Sequence, residues 1–271
     1  MPVIRKVDMF RAPMRLGEDA FIHGRISENR TEDLIKIMVA FKNLMEVCRP
    51  EDYMACATSA LRVANNGQRV VERIRKETGI NIRITEGDME ARLIALNRVS
   101  RQFGARAYLY IDVGGGTTEL TLYADGQAVD YSSFDIGTVR LKENLVADAE
   151  WESMRHWVRS ATVGYRPLAG IGSGGYINKI FKLTRKRRDK PLSADKLRQI
   201  HSTLKFLSYE DRMLRLGLRP DRADVIVPAG KIFLHIMKWS GIEQLYVPQI
   251  GLADGIIHYL YRKHRGVSAT A

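Results

Sequence analysis

Apolar residues in this chain recur with two periods, and the switches between them mark out its elements. Tyr108 to Val113 is an apolar run broken only by Asp112, as in a buried strand. Thr118 to Tyr123 reads as a second strand, and Ala128 to Phe134, after the turn Asp125-Gly126, as the third of a meander. Upstream, residues 1–16 read as an edge strand that Pro13 ends, followed by a turn around Gly17. Ser27 or Thr31 can cap a helix whose apolar face is Leu34, Met38, Phe41, Met45 and Cys48, spaced three and four apart. A short strand, Tyr53 to Ala57, and a helix from Asn66-Gly67 come next. Val70, Val71 and Ile74 face inward on that helix, and Gly79 closes it. Ile80, Ile82 and Ile84 alternate with polar residues as a strand, and Asp88 caps a helix from Met89 to Gln102.

Past the meander, helices are expected from Val139, from Trp151 towards Ala161, and from the glycines at 172–175 through Phe181. Others fall near 193–207, 209–216 and 222–239, where Pro228 implies a start or a kink. Strands Leu168 to Ile171 and Leu245 to Val247 separate them, and Leu252 to Lys263 is a last helix. The order strand-helix-strand-helix-strand-helix before residue 107 echoes the order after it, less an opening hairpin. The expected architecture is therefore α/β with two similar lobes, 1–106 and 107–271, and a ligand cleft between them.

The chemistry centres on Asp112-Val113-Gly114-Gly115-Gly116-Thr117-Thr118-Glu119. Three consecutive glycines can point several amides into one concavity, a nest suited to phosphate. Asp112 and Glu119 can hold a hydrated cation whose shell phosphate oxygens complete, and Thr117 and Thr118 add hydroxyls. A glycine-rich hairpin without a ligand is the plainer reading. Gly172-Ser173-Gly174, before a helix, is either a second anion site or a tight strand-to-helix turn.

With 43 Lys and Arg against 31 Asp and Glu, the net charge is +12 in 271 residues, which suits a polyanionic partner. The densest run is Arg185-Lys186-Arg187-Arg188-Asp189-Lys190. No homeodomain, zinc-finger or RNA-recognition signature accompanies it, so nucleic acid is disfavoured. No uncharged apolar segment approaches the roughly 18 residues of a membrane span, and the N-terminus has no signal-peptide core. Cys48 and Cys56 have no metal-type spacing and read as buried free thiols of a cytoplasmic protein. The six histidines have no metal-like spacing either.

Several stretches together resemble the exopolyphosphatase / guanosine pentaphosphate phosphohydrolase (Ppx/GppA) family, in its short form. They are Ala57 to Arg62 (ATSALR), Glu90 to Ile94 (EARLI), Asp112 to Leu120, Gly137 to Glu143 (GTVRLKE), Gly170 to Gly175 (GIGSGG) and Arg222 to Gly230 (RADVIVPAG). The resemblance implies an actin-like ATPase/sugar kinase (ribonuclease H-like) fold. It also implies Mg²⁺-dependent hydrolysis of the terminal phosphoanhydride of inorganic polyphosphate or guanosine pentaphosphate. By the same resemblance Glu90 matches a general base, and Arg62 a phosphate-binding arginine. The Asp112, Gly114, Thr117 and Glu119 positions match the family's second phosphate loop. Read as residues alone, Glu90 equally suits a helix N-terminus, and Arg62 a surface cation.

The family's opening strand and first phosphate loop have no counterpart before Arg11. The expectation is a first lobe incomplete at its N-terminus, with an exposed strand edge that favours a homodimer. Impaired catalysis with phosphate binding retained is then the alternative to a full enzyme.

Overall fold

The computed structural model describes residues 7–97 and 107–266. Its larger sheet has six strands in the order β5-β4-β3-β6-β8-β7. The meander comprises β3 (Ala107–Val113), β4 (Thr118–Ala124) and β5 (Gln127–Phe134). β6 (Leu168–Ser173) and β8 (Gln244–Tyr246) continue parallel to β3, and the two-residue β7 (Leu192–Ser193) closes the edge. Parallel strands need helical crossovers, and these cover the sheet: α6 (Thr138–Lys142), α7 (Asp148–Ala161), α8 (Gly175–Leu183), α9 (Ala194–Phe206), α10 (Tyr209–Leu216), α11 (Pro220–Ala223) and α12 (Ile226–Ser240). Leu109, Ile111, Leu120, Met154, Ile177 and Phe233 are fully buried at the centre of this second core.

The first core is thinner. Its sheet has two parallel strands, β1 (Ala55–Ala57) and β2 (Ile82–Ile84). Around it lie α1 (Leu16–His23), α2 (Glu28–Cys48), α3 (Ser59–Val63) and α4 (Gly67–Thr78), with Ile26, Val70, Val71 and Ile74 innermost. Ser27 caps α2, its hydroxyl accepting from the Arg30 amide at 3.4 Å. Gly79 closes α4 at φ 77°, in the left-handed region that suits glycine. Two further helices join the cores: α5 (Gly87–Ala95) packs on the last helix, α13 (Leu252–His264), through Leu93, Leu96, Ile256 and Leu260.

Three expectations are corrected. Residues 7–15 form no strand, and the turn expected at Gly17 is inside α1; residues 1–6 of that expected strand lie outside the described residues. The segment is held by ion pairs such as Arg15 to Asp224 at 2.6 Å rather than by strand pairing. Cys48 is exposed because α2 runs past the core it packs on and leaves its last residues in solvent, and Cys56, on β1, is only half-buried against the α5–α13 cluster. The helix expected from Met89 to Gln102 starts at Gly87 and ends at Ala95, with Leu96 and Asn97 in a turn, and the rest of that expectation, 98–102, lies outside the described residues.

Candidate active site

Strand register assembles the acidic part of the site. Asp112 sits opposite Glu119 across the antiparallel pair β3–β4 and beside Ser173 across the parallel pair β3–β6. Glu119 is in turn opposite Ser133 on β5. Paired positions point to the same face of a sheet, so these four side chains form one row. Ser133 donates to Glu119 at 3.4 Å, and Ser173 to the Ile250 carbonyl at 3.3 Å. The Thr117 hydroxyl also hydrogen-bonds Glu119.

The glycine turn lies directly above this row. The Gly114 amide donates to the Thr117 carbonyl at 2.9 Å. The carbonyls of Gly114 and Gly115 accept from the Thr138 and Val139 amides at 3.0 and 2.8 Å, tying the turn to the start of α6. The amides of Gly115, Gly116 and Thr117 donate to no backbone carbonyl among the described residues. Gly137 permits the close approach: a Cβ there would stand 2.4 Å from the Gly115 oxygen. On the other side the Phe21 ring of α1 rests against Gly116, where a Cβ would meet it at 2.1 Å.

Arg62 on α3 and Glu90 on the first turn of α5 complete the site. Arg62 donates to the Thr85 carbonyl at 2.6 Å, which fixes its fork. Its Nη1 then lies 3.8 Å from Glu90 Oε2 and its Nη2 3.9 Å from Glu119 Oε1. These three side chains are only 12–16% exposed.

The carboxyls raise one another. Burial, then the charges of Glu119 and Asp112, push Glu90 up to about 8, with Arg62 opposing. Burial and Glu119 push Asp112 up to about 7, against the Ser173 hydrogen bond. Burial raises Glu119 as well, opposed by Thr117, Arg62 and Ser133. One guanidinium faces two of the three carboxyls, Glu90 and Glu119, and leaves Asp112 without a cation among the described residues, an excess of carboxyls that a divalent cation would offset. Among the described residues no group of three or more His, Cys, Asp or Glu is placed to hold a metal by protein ligands alone. Asp112 and Glu119 fit the Mg²⁺ habit of one or two carboxylates with water and phosphate oxygens completing the shell.

The other residues expected at the site divide. Gly174, at φ 97°, brings the start of α8 against Asp112, where a Cβ would stand 3.1 Å from Oδ1. Gly172 is buried in packing, its Cβ direction closed by Ile177, Leu245 and Phe233. Thr118 is fully buried and donates to the Ile136 carbonyl at 2.5 Å. Sequence reasoning missed Ser133 and Tyr131. The Tyr131 hydroxyl is buried beside Ser133 and occupies the space that a Cβ on Gly87 would need. Burial and the nearby Glu119 charge push it up to about 12. Both residues reach the site through strand register, which no local signal in β5 announces.

A glycine turn with three amides that meet no backbone carbonyl among the described residues, a row of carboxyls and one arginine thus stand together where two α/β cores meet. The chain belongs to the Ppx/GppA phosphatase family, whose model matches residues 4–264. Exopolyphosphatase 1 of Mycobacterium tuberculosis is 28% identical over 269 residues, covering 91% of this chain and 78% of that protein. The Mycobacterium leprae protein of the same name is 26% identical, covering 91% and 79%. Among solved structures, an exopolyphosphatase from Cytophaga hutchinsonii superposes with a TM-score of 0.76 at 22% identity, over 94% of this chain and 88% of that one. An Aquifex aeolicus Ppx/GppA family member gives 0.73 at 24%, over 93% and 87%. These two likenesses establish the shared fold.

Proposed function

We propose that this phosphatase-family protein hydrolyses the terminal phosphoanhydride bond of inorganic polyphosphate, with guanosine pentaphosphate as the other substrate of the same chemistry. The observation that carries this reading is the clustering of Glu90, Asp112 and Glu119 beside a glycine turn whose Gly115, Gly116 and Thr117 amides meet no backbone carbonyl among the described residues. Phosphoryl transfer depends on alignment and charge neutralisation more than on covalent help. The amides of Gly115, Gly116 and Thr117 bind oxygens of the terminal phosphate, and Arg62 binds another from the facing wall. Glu90 accepts the proton of the attacking water, for which it must be ionised. Burial and then the charges of Glu119 and Asp112 oppose that ionisation, and neutralising those charges removes the second part of the opposition. Asp112 and Glu119 would hold Mg²⁺, which neutralises phosphate oxygens when bound. No described helix is long and apolar enough to cross a membrane, in keeping with a water-soluble polyanion as substrate.

A second reading, binding without turnover, draws on Phe21. Its ring lies against Gly116, so an apolar surface covers part of the turn. Phosphate release from tripolyphosphate and long-chain polyphosphate, with Mg²⁺ and with EDTA, tests the two. Release that EDTA abolishes is the expected result. Thermal stabilisation by polyphosphate with no release would replace the hydrolase by the binder.

A further inference from the structure

A second charged region lies away from the carboxyl site. Residues 179–198 carry nine Lys or Arg against Asp189 and Asp195 alone. Both acids are already bridged, Asp189 by Arg187 at 3.1 Å and Asp195 by Arg198. Asp211, further along the chain, pairs with Arg215 at 3.8 Å. Among the described residues Lys182, Arg185, Arg188 and Lys190 have no carboxylate partner.

Three of these cations, Lys182, Arg185 and Lys190, line two grooves formed in part by the loop between α8 and β7. One, of about 410 Å³, is lined by Lys186, Arg187, Lys190 and Gln244. The other, of about 470 Å³, is lined by Lys182, Arg185, Lys196 and Arg215. No carboxylate and no aromatic side chain lines either groove. Helix α8 connects the region to the site: it starts at Gly175, beside Gly174 and Asp112, and its nine residues span about 13 Å. Lys179 and Lys182, three apart, continue one face of it towards Arg185.

We propose that this face is a second polyanion-binding surface, which holds the distal part of a polyphosphate chain while its terminal phosphate occupies the glycine turn. It rests on the hydrolase reading for the second half of that statement only. Single-stranded nucleic acid is bound by cations together with aromatic platforms on which bases stack. Grooves without rings suit a polyanion without bases. Such a surface separates long chains from tripolyphosphate, which is too short to span the nine residues of α8.

The test compares the full chain with a variant carrying Lys182→Gln, Arg185→Gln, Arg188→Gln and Lys190→Gln, none of which touches the carboxyl site. Direct binding is measured for long-chain polyphosphate, tripolyphosphate and single-stranded RNA over a range of salt, with phosphate release followed in parallel. The variant should bind long-chain polyphosphate about tenfold or more weakly, and its salt slope should fall by about 3 because four neutralising cations are gone. Tripolyphosphate binding should be unchanged. Equal loss on both phosphates, no loss on either, or RNA outcompeting long-chain polyphosphate would overturn the proposal. Absence of phosphate release by the unaltered chain, with the chain-length difference in binding intact, would instead sink the hydrolase reading and leave this surface standing.

Discussion

The two cores of the molecule are built to different depths. The second has a six-stranded sheet with helices over it and a long inventory of side chains without solvent contact. The first has two three-residue strands and depends on α2 and α4 closing around Ile74. Their contributions to the site follow the same division. Asp112, Glu119 and the glycine turn are fixed by strand register, whereas Arg62 sits on the five-residue α3 and is held by its bond to the Thr85 carbonyl. Glu90 belongs to neither group by sequence position. Helix α5 is clamped to the last helix of the chain, with Gly255 so close that a Cβ would stand 2.0 Å from the Leu93 oxygen. The Tyr123 hydroxyl on β4 donates to the Ala91 carbonyl at 3.4 Å. The proposed base therefore moves with the second core, and Arg62 is the one charged site residue carried by the thinner region.

Breaking the two cores separately should show the difference. Phe233→Ala, in the fully buried centre of the second, should cost about 3–5 kcal/mol because a well-packed site collapses poorly. Ile74→Ala, fully buried in the first, should fall near the lower end of its range, about 2–3 kcal/mol, because α2 and α4 can close on the space. Denaturant unfolding measures both, and equal losses would remove the contrast in depth. A smaller effect is expected from Gly255→Ala. The new methyl meets backbone, so α5 must shift, at a cost of about 1–3 kcal/mol. Phosphate release should drop more than stability alone explains, because Glu90 shifts with α5. Unchanged release would mean that Glu90 is not positioned from that side.

The pH dependence of stability tests the carboxyl row itself. Glu90 and Asp112 carry values of about 8 and about 7 in the folded chain against ordinary values of 4.5 and 3.8. The folded state therefore binds protons that the unfolded state has released. The stability this brings is full below about pH 4 and is lost as pH rises through 7 and 8. In EDTA the melting temperature should fall between about pH 5 and about pH 8.5, by about 2–4 °C per kcal/mol lost. Mg²⁺ should restore it most at the alkaline end. A melting temperature that rises with pH over that window would contradict the carboxyl cluster.

Much of this was legible in the chain, and the reasons are local. Three glycines between two strand-like runs announce the turn, and Ser27 and Gly79 announce helix ends because capping is a short-range property. The apolar face from Leu34 to Met45 is present in α2, though Cys48 lies beyond it. What failed was set by distant contacts. Residues 7–15 look like an edge strand, but Arg15 is held by Asp224 through an ion pair 209 positions away. The two-residue β7 exists only because β8 is beside it. Ser133 and Tyr131 face the carboxyls through the β4–β5 register, which shifts between Leu122 and Tyr123. Glu90 and Arg62 were legible through family resemblance, since nothing in a helix N-terminus or a lone arginine says that the two will stand 3.8 Å apart.

The most direct measurement is turnover and binding by Glu90→Gln on one preparation. The substitution keeps size and removes the proton acceptor. Phosphate release from polyphosphate should fall by about 10²–10⁴-fold while the affinity for polyphosphate changes little. Release within a few fold of the unaltered chain would contradict the account, and would return Glu90 to the place of a buried acid at a helix N-terminus.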